Sequence, residues 1–397
     1  MRPSPSLPLI SCWFAVFLGT GQSEISFEAQ TIDRQIQVGY GLALGDVDGD
    51  KKPDIILADK KEVVWYQNPD WTKRILARNL TIRDNVCLAA RDLDGDGQVE
   101  IAVGGNWNPG ETSNTKTSGS LHYLIRPDDG IEGRWEPVPI TPHEPTVHRM
   151  HWVRDGDGKY QLVVLPLHGR GNRGGDGPNN VKVLAYLPPE DPREGTWKTT
   201  LLDESLHMAH NFDFRPTKKG AETMIIGGKE GMRRVSIPKE GDEAKADWVF
   251  EPGKPPLPEG FKGFGESRFL GPEGDFFAQI EPMHGNQLTV YSTDRRVLKS
   301  DLAEGHALAC GNVLGNSRSR AEIVVGWRKA DRQGKVGIEL FYRKDYRRAW
   351  EHHRIDDNTM ACEDLKILDL DDDGKAEIIA CGRGTQNVVI YWNKNDS

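Results

Sequence analysis

Cysteine is scarce in this chain of 397 residues: there are 5, and none stands at zinc-ligand spacing. A cysteine-ligated metal module is therefore excluded. Basic runs are missing as well. Lys and Arg total 51 against 60 Asp and Glu, a net charge of −9, and no basic patch is interleaved with aromatic residues. Nucleic acid and an anionic membrane surface are poor partners for such a chain. Beyond the N-terminus no apolar run is long enough to span a bilayer. The sequence has no nucleophile elbow and no HExxH. It also has no glycine-rich phosphate loop opening a helix, because "GRGNRGG" from Gly169 joins two strands.

What is present favours many short strands joined by turns: 43 Gly, 24 Pro and 37% apolar residues in brief runs. The N-terminus has Arg2, an apolar stretch through Leu18 and small residues from Gly19 to Ser23. This predicts a cleaved secretory signal over 1–23, an exported protein and a single domain over 24–397. "LISC", Leu9 to Cys12, fits a lipoprotein box superficially, but the apolar stretch mostly follows Cys12, so a lipid anchor is the weaker reading. Cys87, Cys310, Cys362 and Cys381 sit in strand-like apolar surroundings and read as buried thiols; export leaves a Cys362–Cys381 disulfide open.

One stretch repeats along the chain. "GDVDGDKKPDII" from Gly45 returns as "RDLDGDGQVEIAVGG" from Arg91 and "LDLDDDGKAEIIACG" from Leu368, with degenerate copies from Val153, Arg215, Leu270 and Gly311. Seven copies about 50 residues apart give the period of a propeller blade. Each copy supplies strands enough for a four-stranded sheet, except the last, which stops one short at Trp392, while "ISFEAQTID" near the N-terminus has no blade of its own. The predicted fold is all-β, a seven-bladed β-propeller closed by an N-terminal strand that completes the last blade.

The repeated loops carry carboxylates at positions one, three, five and nine: Asp46, Asp48, Asp50 and Asp54; Asp92, Asp94, Asp96 and Glu100; Asp369, Asp371, Asp373 and Glu377. Alternating hard oxygen ligands around a central glycine suit calcium. Flanking strands and the lack of a glutamate at position twelve reject an EF-hand. These loops join the first two strands of a blade and so lie on one rim, where calcium would tie hairpins together. Chemistry is then expected on the other rim.

Aligning the blades on their loops places Tyr40, His207, His306 and Glu363 at the start of four first strands, with His148 and Asn85 within one residue of that register and Gly265 and Glu266 nearest in the fifth blade. His151 and His210 follow at short spacing. The second-to-third strand connections reach the same rim with Trp107, Asn108, His168, Arg170, Arg173, His284, Trp327, Arg328 and Arg383. Imidazoles, guanidiniums, indoles and a carboxylate around one mouth suit a polar, oxygen-rich ligand such as a carbohydrate.

With its acidic loops the chain resembles the FG-GAP or VCBS repeat family, and the resemblance implies a calcium-loop propeller. "TVHRMHW", "LHMAHNF" and "EGHALACGN" are further similar to the propeller of aldos-2-ulose dehydratases, which eliminate water from keto-sugars. No counterpart of the cupin domains of the fungal enzyme is seen, so no isomerase step is implied. Such an elimination needs a base, an electrophile for the enolate oxygen and an acid for the leaving oxygen. The resemblance thus implies a carbon–oxygen lyase with His148, His207, His210 and His306 as base or as ligands of zinc or another divalent metal. Arg170 and Arg383 would clamp substrate oxygens, with Glu363 as a second carboxylate. Substrate contacts are expected from Tyr40, Trp107, His168, His284, Trp327, Arg328 and Arg383. A uronate polysaccharide lyase and a non-catalytic propeller binding glycans or proteins are the alternatives.

Overall fold

A computed structural model describes residues 25–128, 133–173, 177–217, 219–271, 275–315, 322–343 and 348–395. The predicted signal and the "LISC" box lie outside these residues.

The first strand, β1 (Phe27–Asp33), precedes six blades of consecutive strands. They are β2–β5 (Gly41–Gly45, Asp54–Ala58, Glu62–Gln67, Thr72–Arg78), β6–β9 (Cys87–Arg91, Glu100–Gly105, Ser120–Ile125, Glu136–Pro139) and β10–β13 (Val147–Arg154, Tyr160–Pro166, Val183–Leu187, Lys198–Asp203). Then come β14–β17 (Ala209–Arg215, Thr223–Gly228, Met232–Ser236, Lys245–Phe250), β18–β21 (Ser267–Phe269, Phe277–Glu281, Gln287–Tyr291, Arg295–Lys299) and β22–β25 (Gly305–Cys310, Glu322–Trp327, Gly337–Tyr342, Glu351–Asp357). The seventh blade holds β26 (Cys362–Leu368), β27 (Glu377–Gly382) and β28 (Asn387–Asn393), and β1 pairs antiparallel with β28 as its outer strand. The segment left over at the N-terminus thus fills the gap at the C-terminus and removes a free sheet edge.

The first strands β2, β6, β10, β14, β18, β22 and β26 touch in sequence and back to β2, forming a closed inner ring. Second strands are covered on both faces, so β3, β19, β23 and β27 are buried throughout and read as unbroken apolar runs. Outer strands are more exposed, as in β5 and β13, whose first residues are open and whose burial comes toward their ends. Apolar side chains gather into seven clusters, each between two neighbouring blades. Blade faces have no other partner, so the ring must close for all of them to be buried. Cys362 and Cys381 are free, buried thiols, and no disulfide joins them.

Candidate functional site

Two kinds of convergence mark opposite rims. On the first rim the loops β2–β3, β6–β7 and β26–β27 curl because their fourth and sixth positions adopt positive φ: Gly49 and Lys51, Gly95 and Gly97, Asp372 and Gly374. Each first aspartate caps its own turn, Asp46 accepting the Gly49 and Lys51 N–H groups and Asp92 those of Gly95 and Gly97. Ligand oxygens of Asp46, Asp48 and Asp50 lie within 4.8 Å of one another, as do those of Asp92, Asp94 and Asp96 and of Asp369, Asp371 and Glu377. Beneath each loop is a carboxylate from the second strand. Asp54, Glu100 and Glu377 accept the N–H groups of Val47, Leu93 and Leu370, at 2.7–2.8 Å. Burial, reinforced by the loop aspartates, pushes all three up to about 7. Such clusters could hold a hard cation that would relieve this repulsion.

On the second rim a repeated backbone irregularity builds the site. Strand pairing slips by one residue at His148 in β10, His210 in β14, His306 in β22 and Glu363 in β26. A bulge leaves its extra residue out of the ladder and re-aims the side chain. The three histidines then make one kind of bond: Nδ1 of His148 meets the His210 carbonyl at 2.8 Å, that of His210 the Gly265 carbonyl at 3.2 Å, and that of His306 the Glu363 carbonyl at 2.6 Å. Each Nδ1–H therefore donates to a backbone carbonyl in or just before the next blade's inner strand, and each Nε2 keeps its lone pair.

His284 joins from the β19–β20 loop, where it is held at φ 52°, a costly conformation for a residue with a β-carbon. Ring centroids run 4.6 Å from His148 to His210, 4.7 Å from His210 to His284 and 4.9 Å from His284 to His306. Ligand nitrogens of His210, His284 and His306 all lie within 4.8 Å of one another. Nε2 of His210 and Nε2 of His284 are 2.9 Å apart. A tetrahedral ion with bonds of about 2.0–2.1 Å separates its ligands by roughly 3.3 Å, so small side-chain adjustments would admit one. Burial lowers the pKa of all four imidazoles, His284 to about 2 and His148 and His306 well below the usual value, with Arg149 and Arg328 adding to the effect. They are neutral, the form that ligates metal or accepts a proton.

Charged residues brace the cluster. Glu266, buried in the fifth blade, has Oε1 3.2 Å from His210 Nδ1, while Oε2 accepts from Arg268 at 2.9 Å and from Asn211. Burial would raise its pKa, but Arg268 and His210 hold it down at about 2. Glu363, 3% exposed, takes both oxygens to Arg328 Nη1, at 3.1 and 3.0 Å, and one to Arg383 at 3.1 Å. Arg328 also pairs with Glu304 at 2.9 Å and approaches His284 Nδ1 at 3.4 Å. Arg383 stacks over Tyr40, whose hydroxyl donates to Asp84 at 3.0 Å. Trp107 lies 5.1 Å from the His148 ring.

Other expected residues are placed elsewhere. His210, not His207, occupies the bulge register; His207 precedes β14, is 37% exposed, and bonds Glu230 through Nδ1 at 2.8 Å. Arg170 is bound to Glu144 and the Ser113 carbonyl, with no hydrogen bond to a cluster histidine. His168 is buried and bridges to Met208. Trp327 was expected at the mouth, and the structure corrects this. It ends the fully buried β23, is 0% exposed, donates its indole N–H to the Lys335 carbonyl and packs between blades five and six beneath Lys299 and Arg354. Asn85 is likewise structural, bonding the Asp59 carbonyl.

Three residues were missed by the sequence reading: Arg149, Glu230 and Arg268. Arg149 stands within "HRMH", and alternation along an inner strand, Arg149 with His151 and Asp364 with Lys366, is the signal that assigns such residues to the channel. This channel is a cavity of about 230 Å³ lined by the inner strands, with Arg149, His151, Arg268, Asp364 and Lys366 among its walls; the four clustered histidines lie beside it and do not line it.

A family model described as an FG-GAP-like repeat matches residues 46–103, from the first acidic loop into β7. A search of curated proteins finds no match. Among solved structures, a chain of a mitotic checkpoint complex is similar at 10% identity and TM-score 0.54, with 99% of each chain covered. Saccharomyces cerevisiae Sqt1 is similar at 11% identity and TM-score 0.53, covering 94% of this chain and 100% of that one. The Niastella koreensis GH74 enzyme is similar at 14% identity and TM-score 0.51, covering 91% of this chain and 44% of that longer one. At such identities the likeness is one of fold. This chain is a seven-bladed β-propeller that carries an FG-GAP-like repeat.

Proposed function

We propose that this protein is a metal-dependent carbon–oxygen lyase that eliminates an oxygen substituent from a carbonyl-activated sugar. One observation carries the reading: His210, His284 and His306, from three successive blades, bring neutral ligand nitrogens together within 4.8 Å, two of them with Nδ1 held by a neighbouring blade's carbonyl. Scaffolds seldom bury imidazoles this way without a use for them. Zinc or a similar divalent ion held there would polarise the substrate carbonyl and stabilise the enolate charge.

His148 is the base in this reading. Its Nδ1–H is anchored on the His210 carbonyl, and Nε2, which accepts from Arg149 Nη1 at 3.2 Å, takes the α-proton once substrate displaces that bond, while the C–H electrons form the enolate. Collapse of the enolate makes the double bond as the β carbon–oxygen bond breaks. The proton taken up by His148 Nε2 then passes to the departing oxygen. Trp107 offers a sugar-stacking face beside His148. Calcium in the acidic loops is structural.

A non-catalytic, glycan-binding propeller is the second reading. It is favoured by Glu363, which is neutralised by two guanidiniums and provides no free acid. The test follows ultraviolet absorbance of purified, metal-analysed protein with keto-sugars and uronate glycans, with and without chelator and beside His210→Ala. An enone or unsaturated-uronate band that needs His210 and metal supports the lyase. A flat trace from folded, metal-loaded protein supports the binding scaffold.

A further inference from the structure

Among the cations that line the channel or brace the histidines, one is left without an ion pair. Arg268 is matched by Glu266, Lys366 by Asp364, Arg328 by Glu304 and Glu363, and Arg383 by Glu363. Arg149 lines the channel and has no ion pair among the described residues. Its Nη1 donates to the His148 carbonyl at 3.0 Å and reaches His148 Nε2 at 3.2 Å. Nε and Nη2 make no hydrogen bond among the described residues, and together they form one planar, two-donor edge of the guanidinium. Glu266 is close enough to feel this charge, but it makes no ion pair with Arg149: its Oε2 is engaged by Arg268 and Asn211, and its Oε1 lies 3.2 Å from His210 Nδ1.

The surroundings sharpen the imbalance. Three neutral imidazoles holding a divalent ion carry two positive charges, and Arg149 adds a third beside His148, in a protein whose overall charge is −9. A two-donor guanidinium edge without a partner, on a residue that lines a cavity, is matched best by a carboxylate, which accepts two parallel N–H bonds. We infer that the substrate is a sugar acid, with its carboxylate seated on the Nε–Nη2 edge of Arg149 and its reacting carbons turned toward the histidines. This deepens the lyase reading and rests on it for the reaction. The carboxylate seat itself rests on the geometry of Arg149. A neutral keto-sugar would leave the cation unmatched.

The test is equilibrium binding by calorimetry with the full, zinc-loaded chain. The probes are glucuronate and galacturonate beside glucose and galactose, with wild type, Arg149→Met and Arg149→Lys. The acids are expected to bind about tenfold or more tightly than their neutral counterparts. Arg149→Met should abolish that preference while metal content and melting temperature hold, and Arg149→Lys should retain only part of it. If Arg149→Met does not fold, Arg149→Lys carries the test, since losing the fork must still reduce the preference. Equal binding of acid and neutral sugar by wild type, or an undiminished preference in the variants, overturns the inference. Acid preference that needs Arg149 without turnover of any glycan would leave the carboxylate seat standing and remove the lyase reading instead.

Discussion

Glu100 is in electrostatic conflict with its own loop, and the conflict can be measured. Its Oε2 accepts the Leu93 N–H at 2.7 Å, while burial and then Asp94, Asp96 and Asp92 raise its pKa from 4.5 to about 7. Fully expressed, that displacement is about 3 kcal/mol at roughly 1.36 kcal/mol per pKa unit. Glu100 is only partly buried, so screening by solvent leaves about 1–2 kcal/mol. A carboxylate whose folded pKa is raised binds protons more tightly in the folded than in the unfolded chain. Stability therefore falls as the pH climbs from the unfolded value, and the cost is complete above about 7.

Glu100→Gln keeps an oxygen for Leu93 and removes the charge. In chelator at pH 8 the variant should be the more stable by about 1–2 kcal/mol. Taking an unfolding entropy of about 2.1 cal/mol/K per residue over roughly 370 residues, this is about 1–3 °C in Tm. At pH 5 the gap should close. Saturating calcium at pH 8 should reverse the order, because wild type alone keeps the fourth carboxylate. Differential scanning calorimetry of the pair under these conditions decides the matter, and titration elsewhere cancels in the difference. Wild type that is no less stable than the variant in chelator at pH 8, or a gap that ignores calcium, would refute the reasoning.

Other tests bear on the opposite rim and the core. His306→Ala should lose bound transition metal, read by elemental analysis, and at least about a hundredfold in turnover, since a ligand and a neutral buried imidazole go together. Trp327→Ala should cost about 3–5 kcal/mol in denaturant unfolding. Trp107→Ala, altering a rim residue, should change ligand binding with little effect on the midpoint. His148, His210, His284 and His306 have lowered folded pKa values, so the unfolded chain takes up protons first as pH falls below about 6.5. Metal-free protein should hold this stability above that pH and lose it progressively in acid. His306→Gln should flatten the acid limb of a Tm-against-pH curve, and an unchanged limb would contradict the assigned burial.

The blade count and the closure by β1 were legible because both follow from a period. A strand missing at one end and spare at the other has one economical arrangement, and β1 on β28 is that arrangement. The acidic loops were legible because their ligands are local, within nine residues of one another. The histidine mouth was only half legible. His148, His306 and Glu363 fell near the right register, but a one-residue bulge in each inner strand is invisible to spacing, and it promotes His210 over His207. Trp327 was misplaced because the end of a buried strand and the start of a rim loop read alike. Arg149 went unnoticed because its importance is a matter of accounting: it becomes conspicuous only once the other cations lining the channel, Arg268 and Lys366, have been given their carboxylates.

The Nδ1-to-carbonyl links between successive blades bear on heredity as well as on geometry. A blade duplicated on its own brings a single imidazole, and that imidazole is aimed by a carbonyl that only the adjacent copy can lend. No blade owns the site. Divergence among copies must then have been concerted: once histidines stood in several blades, each constrained the backbone of its neighbour, while blades one and two, which supply none of the clustered imidazoles, stayed free to drift or to keep their calcium-type loops. Swapping a blade between relatives should therefore be tolerated on that side of the ring and forbidden on the other.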